Sequence, residues 1–171
     1  GRFGFWLHED DTSLELGAFK DWRPSAIGIT TPGDDAGVAS MGRLREAYRM
    51  SALRDAARRA ADHFRCPVQF LDAGSPAVSM GHWAHEHQLD EVVAYAPCVG
   101  PCADLAPQIC SQLAARGIRW TLARRSWDAE RFPHARTGFF PFWAKLGHGL
   151  RRQGDLQPTR GSNQDARRPQ A

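Results

Sequence analysis

Apolar positions fall into short runs separated by longer stretches of helical period. Phe3 to Leu7 is an apolar run closed by His8-Glu9-Asp10-Asp11, and it predicts a buried first strand. Ala26 to Thr30 predicts a second strand, ending in the loop composition Pro32-Gly33-Asp34-Asp35. Between Met41 and Phe64, the apolar residues Met50, Leu53, Ala57, Ala60 and Phe64 recur at three and four positions, while Arg45, Arg49, Arg54 and Arg58 fall largely elsewhere. That spacing predicts an amphipathic helix whose stripe must dock on a sheet. Cys66 to Leu71 predicts a third strand, with Pro67 at its start, where a missing N–H is tolerated.

Asp72-Ala73-Gly74 then reads as a turn, Ser75 as an N-cap and Pro76 as the first helical residue, with Ala77, Met80, Ala84 and His87 on one face. Glu91 to Tyr95 predicts a fourth strand. After Pro97 and Gly100, Asp104 is placed to cap a helix carrying Leu105, Ile109 and Leu113, with Pro107 in its first turn. Gly117 suits the end of that helix, and Ile118, Trp120 and Leu122 alternate as a fifth strand. A last helix is expected from near Gly138 to near Gly147.

Strands separated by helices predict an α/β fold: a five-stranded, doubly wound parallel sheet, Rossmann-like, with helices on both faces. Ligands of such sheets bind outside the carboxyl ends of the strands. Those ends are 8–11, 31–35, 72–75, 96–100 and 124–126, and the candidate cofactor-binding residues within them are His8, Glu9, Asp10, Asp11, Asp72, Gly74, Pro97 and Gly100.

Composition divides the chain into an α/β domain over residues 1–148 and a polar tail over 149–171. The net charge of +3 invites a nucleic-acid reading. However, the tail holds five arginines against Asp155 and Asp165, which accounts for all of it and leaves 17 basic and 17 acidic groups in the body. A neutral body has no evident footprint for a phosphate backbone, so strong nucleic-acid binding by the body is not expected. The tail is expected to be disordered. No apolar run approaches the roughly 18 residues of a spanning helix, so no membrane partner is expected. No basic flank and apolar core mark a secretory signal near Gly1, so a cytoplasmic protein with reduced Cys66, Cys98, Cys102 and Cys110 is expected.

Four other constellations carry competing chemistry. His82, His85 and His87 with Glu86 and Asp90, joined by Cys98 and Cys102, suggest zinc, but no common ligand spacing accompanies them and a solvated helix face is favoured. No metal is therefore assigned. Cys98 and Cys102 flank a Gly-Pro turn before a helix whose dipole could depress a thiol pKa, but with no paired base they read as packing residues and no catalytic residue is assigned. Glu9, Asp10 and Asp11 with Asp34, Asp35 and Asp72 could hold Mg²⁺ and a phosphate ester, but no phosphate-binding glycine motif accompanies them. The aromatics Phe132, Phe139, Phe140, Phe142 and Trp143 are expected to fold back on the sheet, some covering a surface that would face a partner domain.

The wording itself carries a resemblance. Phe5-Trp6-Leu7-His8-Glu9-Asp10 after the first strand, the Asp72-Ala73-Gly74-Ser75-Pro76 turn, and helix 77–88 leading into Asp90-Glu91-Val92-Val93 resemble the N-terminal α/β domain of DNA photolyases and cryptochromes. Pro97-Cys98-Val99-Gly100-Pro101 with Asp104, Gly117-Ile118, and Trp127-Asp128 to Gly138-Phe139-Phe140 resemble a bacterial photolyase-like branch, so the likeness spans about residues 3–146. The resemblance implies an antenna role in light-dependent DNA repair or light sensing, with a folate or deazaflavin as the antenna chromophore. It implies that FAD, the electron-transfer tryptophans and the flipped-lesion pocket belong to a helical domain or separate chain, leaving this one without catalysis of its own. Where relatives show a basic pair after the strand's Trp, this chain has His8 and Glu9. The alternative is a Rossmann-like module for a nucleotide or other small anion.

Overall fold

A computed structural model describes residues 1–31, 42–135 and 138–144. The loop expected at Pro32–Asp35, the end of the last helix near Gly147 and the polar tail lie outside the described residues. The chain forms two compact units, Gly1–Arg125 and Ser126 onward.

The first unit is built on five parallel strands: β1 (Phe3–Leu7), β2 (Ala26–Ile29), β3 (Val68–Phe70), β4 (Glu91–Tyr95) and β5 (Arg119–Ala123). Their spatial order is β3-β2-β1-β4-β5. Three helices connect them: α1 (Arg43–Phe64), α2 (Pro76–Glu86) and α3 (Pro101–Ala114). The expected doubly wound Rossmann-like sheet is the fold observed.

β1, β2 and β4 read as continuous apolar runs because helices cover both their faces. Phe5, Leu7, Ile27, Ile29, Val93 and Tyr95 pack with Leu53, Ala56, Ala60 and Phe64 of α1. On the opposite face, Trp6, Ala26, Val92 and Ala94 pack with Met80, Trp83 and Ala84 of α2 and with Leu105, Ile109 and Leu113 of α3. Each large side chain buried in this way contributes about 1.5–3 kcal/mol by leaving water. Trp83 lies in a trough made by two glycines: a Cβ at Gly4 would come within 2.8 Å of its ring, and one at Gly28 within 3.1 Å. The absence of side chains at these two positions lets α2 sit close to the sheet.

α1 ends at Phe64 because Arg65 turns left-handed (φ 54°) and its N–H bonds Ala61 O at 3.0 Å, a cap more often made by glycine. α2 begins as expected after Ser75, with Pro76 at the first position, but the Ser75 side chain makes no capping bond and its carbonyl alone accepts from Ser79 N–H at 2.9 Å. α3 corrects two expectations. Gly100 (φ 98°), not Asp104, precedes the helix, and Asp104 sits inside the first turn. Pro107 consequently lies within the helix, not in its first turn. It is tolerated because its ring is exposed, so the turn that loses a hydrogen bond faces solvent.

The outer strands are less buried than the central three. In β3, Gln69 and Phe70 are exposed. In β5, Trp120 packs on the α3 side, 5.5 Å from Trp6, while Leu122 is exposed. No described helix is long and apolar enough to cross a membrane.

The second unit contains α4 (Ser126–Arg131), a 3-10 turn (Phe132–His134) and helical residues 139–144 after Gly138, whose φ is 97°. Phe139 stacks on Trp143 with ring centroids 6.0 Å apart. Phe139, Phe140 and Trp143 are each more than half exposed, at 64%, 81% and 51%. Within this unit, the Phe139 and Trp143 rings on one short helix meet each other.

Candidate functional site

The strand order fixes where a ligand crevice would lie. From β1 the chain moves to β2 on one side, and β4 later pairs with β1 on the other, so the connections leaving β1 and β4 diverge. His8, Glu9, Asp10 and Asp11 follow β1 here, and Pro97 and Gly100 follow β4. Asp72 and Gly74 do not join them. They follow edge strand β3 and close a turn of their own, in which Asp72 Oδ1 accepts from Gly74 N–H at 3.1 Å.

The four residues after β1 take four different partners. His8 is 1% exposed and its Nε2 meets Tyr95 O at 2.9 Å. Because a carbonyl only accepts, Nε2 carries the proton and Nδ1 carries the lone pair. Nδ1 is buried and has no hydrogen-bond partner. Burial holds the His8 pKa below its ordinary value of 6.5, against the opposing pull of the Tyr95 carbonyl and the Asp10, Asp11 and Glu9 carboxylates.

Glu9 bonds Arg49 of α1 at 3.3 Å. Asp10 Oδ2 accepts from Cys98 N–H at 3.3 Å, which draws the turns after β1 and β4 together. Asp11 binds the Arg125 guanidinium at 2.8 and 3.1 Å and accepts from Ser13 N–H at 3.1 Å. Farther along, Glu15 pairs with Arg59, which also donates to Thr12 O at 2.9 Å. A magnesium reading needs carboxylates that converge. Glu9 and Asp11 are held by arginines on different elements, and Asp72 sits with the edge strand, while Asp34 and Asp35 lie outside the described residues.

Cys102 is the residue that the strand-end rule missed. It is buried at the second position of α3, two residues past the 96–100 window, and lies beside Glu9 and Asp10. Burial and the nearby Asp10 and Glu9 charges push its thiol up to about 12, as suits the packing residue expected and not a thiol activated by the helix dipole. Cys98 is exposed and so is not the packing residue expected. Cys66 is half-buried, and burial raises its thiol to about 11.

A ring nitrogen of His8, a carboxylate oxygen of Asp10 and Sγ of Cys102 lie within 4.8 Å of one another, and among the described residues no other group of three potential ligands is so close. His82 and His85 are exposed on α2, and His87 is half-buried 5.5 Å from the Trp83 ring. Their exposure on α2 agrees with the solvated helix face expected for His82 and His85.

Arg49, Tyr95 and Arg125 also belong to this site. Arg125 stands 4.2 Å over the Tyr95 ring, and Tyr95 Oη accepts from Ala18 N–H at 2.7 Å. A cavity of about 190 Å³ lies between the turn after β1 and α1, lined by Glu9, Thr12, Tyr48, Arg49 and Leu53. It is smaller than the roughly 300–1,000 Å³ of pockets that enclose an organic ligand.

No protein-family model, no curated protein and no solved structure matches the chain.

Proposed function

We propose that the chain is a photolyase/cryptochrome-type N-terminal α/β domain, serving light-dependent DNA repair or light sensing beside a helical flavin-binding domain or chain and not catalytic by itself. The observation that carries this reading is the parallel order β3-β2-β1-β4-β5, with the residues of the resemblance, Trp6 to Asp10, at its β1/β4 divergence. The net-neutral body also agrees with a domain that leaves phosphate binding to another part of the repair machinery.

The cavity of about 190 Å³ beside Glu9 is small for a folate or deazaflavin, and Glu9, Asp10 and Asp11 present carboxylates where an anionic chromophore would approach. The domain's favoured role is therefore support of the flavin domain.

The test is co-purification of the chain with a photolyase-type helical flavoprotein, followed by illumination with thymine-dimer DNA. A stoichiometric complex that repairs dimers in light, with no repair by the chain alone, is the expected result. Failure to associate, together with a colourless protein whose melting temperature rises with nucleotide, would replace this reading with a Rossmann-like nucleotide or small-anion module.

A further inference from the structure

We infer that His8, Asp10 and Cys102 form a zinc-class divalent cation site at the β1/β4 divergence, with His8 Nδ1 as the imidazole ligand. The inference is independent of any photochemical role.

The mutual distances of at most 4.8 Å between the three ligand groups are the first observation. The second is the unpartnered Nδ1 of His8 in a side chain only 1% exposed. A buried acceptor normally finds a donor, and a neutral imidazole lone pair without one is what a metal ligand requires. The rest of the ring is already set for that role. Nε2–H donates to Tyr95 O at 2.9 Å, and metal-bound imidazoles commonly fix the ring with such a bond to a backbone carbonyl.

The other two ligands are supported in the same manner. Cys98 N–H orients the Asp10 carboxylate at 3.3 Å and leaves its remaining lone pairs open. Asp10 is exposed, which gives the cation a route in. Cys102 is held by burial at the second position of α3, which fixes its sulfur beside His8 and Asp10. Binding exchanges the thiol proton for the metal and releases that proton to solvent, leaving neutral imidazole, carboxylate and thiolate around the ion. One nitrogen, one oxygen and one sulfur donor suit Zn²⁺ or its spectroscopic substitute Co²⁺, and three protein ligands leave a fourth position for water. The ion would join the end of β1 to the start of α3.

The test uses the full chain, stripped with chelator and titrated with Zn²⁺ and then Co²⁺. One equivalent of zinc should bind with release of a proton, and the cobalt form should show a thiolate-to-metal charge-transfer band and tetrahedral d–d absorption. Cys102→Ser should abolish the charge-transfer band and weaken zinc by more than the roughly 10–100-fold that loss of a supporting group costs. Asp10→Asn, at an exposed position, should weaken zinc comparably while leaving the metal-free melting temperature unchanged, which keeps the test valid if His8 or Cys102 variants fold poorly. The double variant His82→Asn/His85→Asn and Cys110→Ser should bind as the parent does. The inference is overturned by no stoichiometric binding, by a cobalt spectrum without sulfur charge transfer, or by binding that the His82/His85 double variant abolishes.

Discussion

Asp11 and Arg125, 114 positions apart, form a two-pronged ion pair in which Arg125 Nη2 and Nε lie 2.8 and 3.1 Å from the carboxylate oxygens. The pair ties the turn after β1 to the end of β5, across the end of β4, and the guanidinium also covers the Tyr95 ring. Its side chains are 31% and 15% exposed, so solvent weakens the attraction without removing the geometric preference for a planar fork.

Arg125→Ala and Asp11→Asn should each destabilise the protein by about 1–2 kcal/mol in urea unfolding, with a double-mutant coupling of at least about 0.5 kcal/mol. Arg125→Lys should recover less than half of the loss, since an ammonium cannot span both oxygens. Additive single effects would show that the pair contributes only as two independent side chains.

Alanine should be costly at Gly4 and tolerated at Gly74. A Cβ at Gly4 would sit 2.6 Å from Leu89 Cδ1 and 2.8 Å from the Trp83 ring, whereas at Gly74 the nearest atom is an Asp72 oxygen at 3.5 Å. Gly4→Ala should cost about 1–3 kcal/mol through overpacking and shift the Trp fluorescence, while Gly74→Ala should stay within about 0.5 kcal/mol of the parent.

Burial keeps His8 neutral in the folded state, so its pKa there lies below the unfolded value of 6.5. The unfolded chain therefore takes up this proton first, and the contribution of His8, complete above 6.5, is lost as the pH falls toward the lower folded value. Metal-free protein should lose stability between about pH 7 and pH 5, and His8→Asn should flatten that part of the curve. An unchanged slope in the variant would assign the acid loss to other groups.

The thiols should separate by accessibility. Exposed Cys98 should react with an aromatic disulfide reagent at once in the native protein, and buried Cys102 only on unfolding. Because the folded Cys102 thiol is pushed up to about 12 from an ordinary 9.0, its stabilisation is complete below 9.0 and is lost as the pH rises above it. Cys102→Ala should reduce that alkaline loss. Rapid native labelling of Cys102, mapped by peptide mass, would contradict the packing at the start of α3.

Local pattern made much of the fold legible. The run Phe3 to Leu7, the recurrence of Leu53, Ala60 and Phe64, and the line Leu105, Ile109 and Leu113 each encode a buried surface within a few residues, and each is buried where expected. The start of α3 was misplaced because Asp104 is a familiar capping residue, while the observed start depends on Gly100 adopting φ 98° before Pro101. Of the candidate site residues, His8 to Asp11, Pro97 and Gly100 lie after β1 and β4, the strands adjacent in the sheet. Asp72 and Gly74 also follow a strand yet sit apart, because β3 is an edge strand.

The sequence by itself determined which segments become strands and helices and that the sheet is parallel, since apolar runs and helical periods are properties of neighbouring residues. Only the tertiary structure decided the strand order, the separate ion pairs of Glu9 and Asp11, and the approach of Cys102 to His8 and Asp10. Those outcomes depend on which distant segments share a sheet edge. Nothing in the spacing of residues 8, 10 and 102 records that β1 and β4 lie side by side.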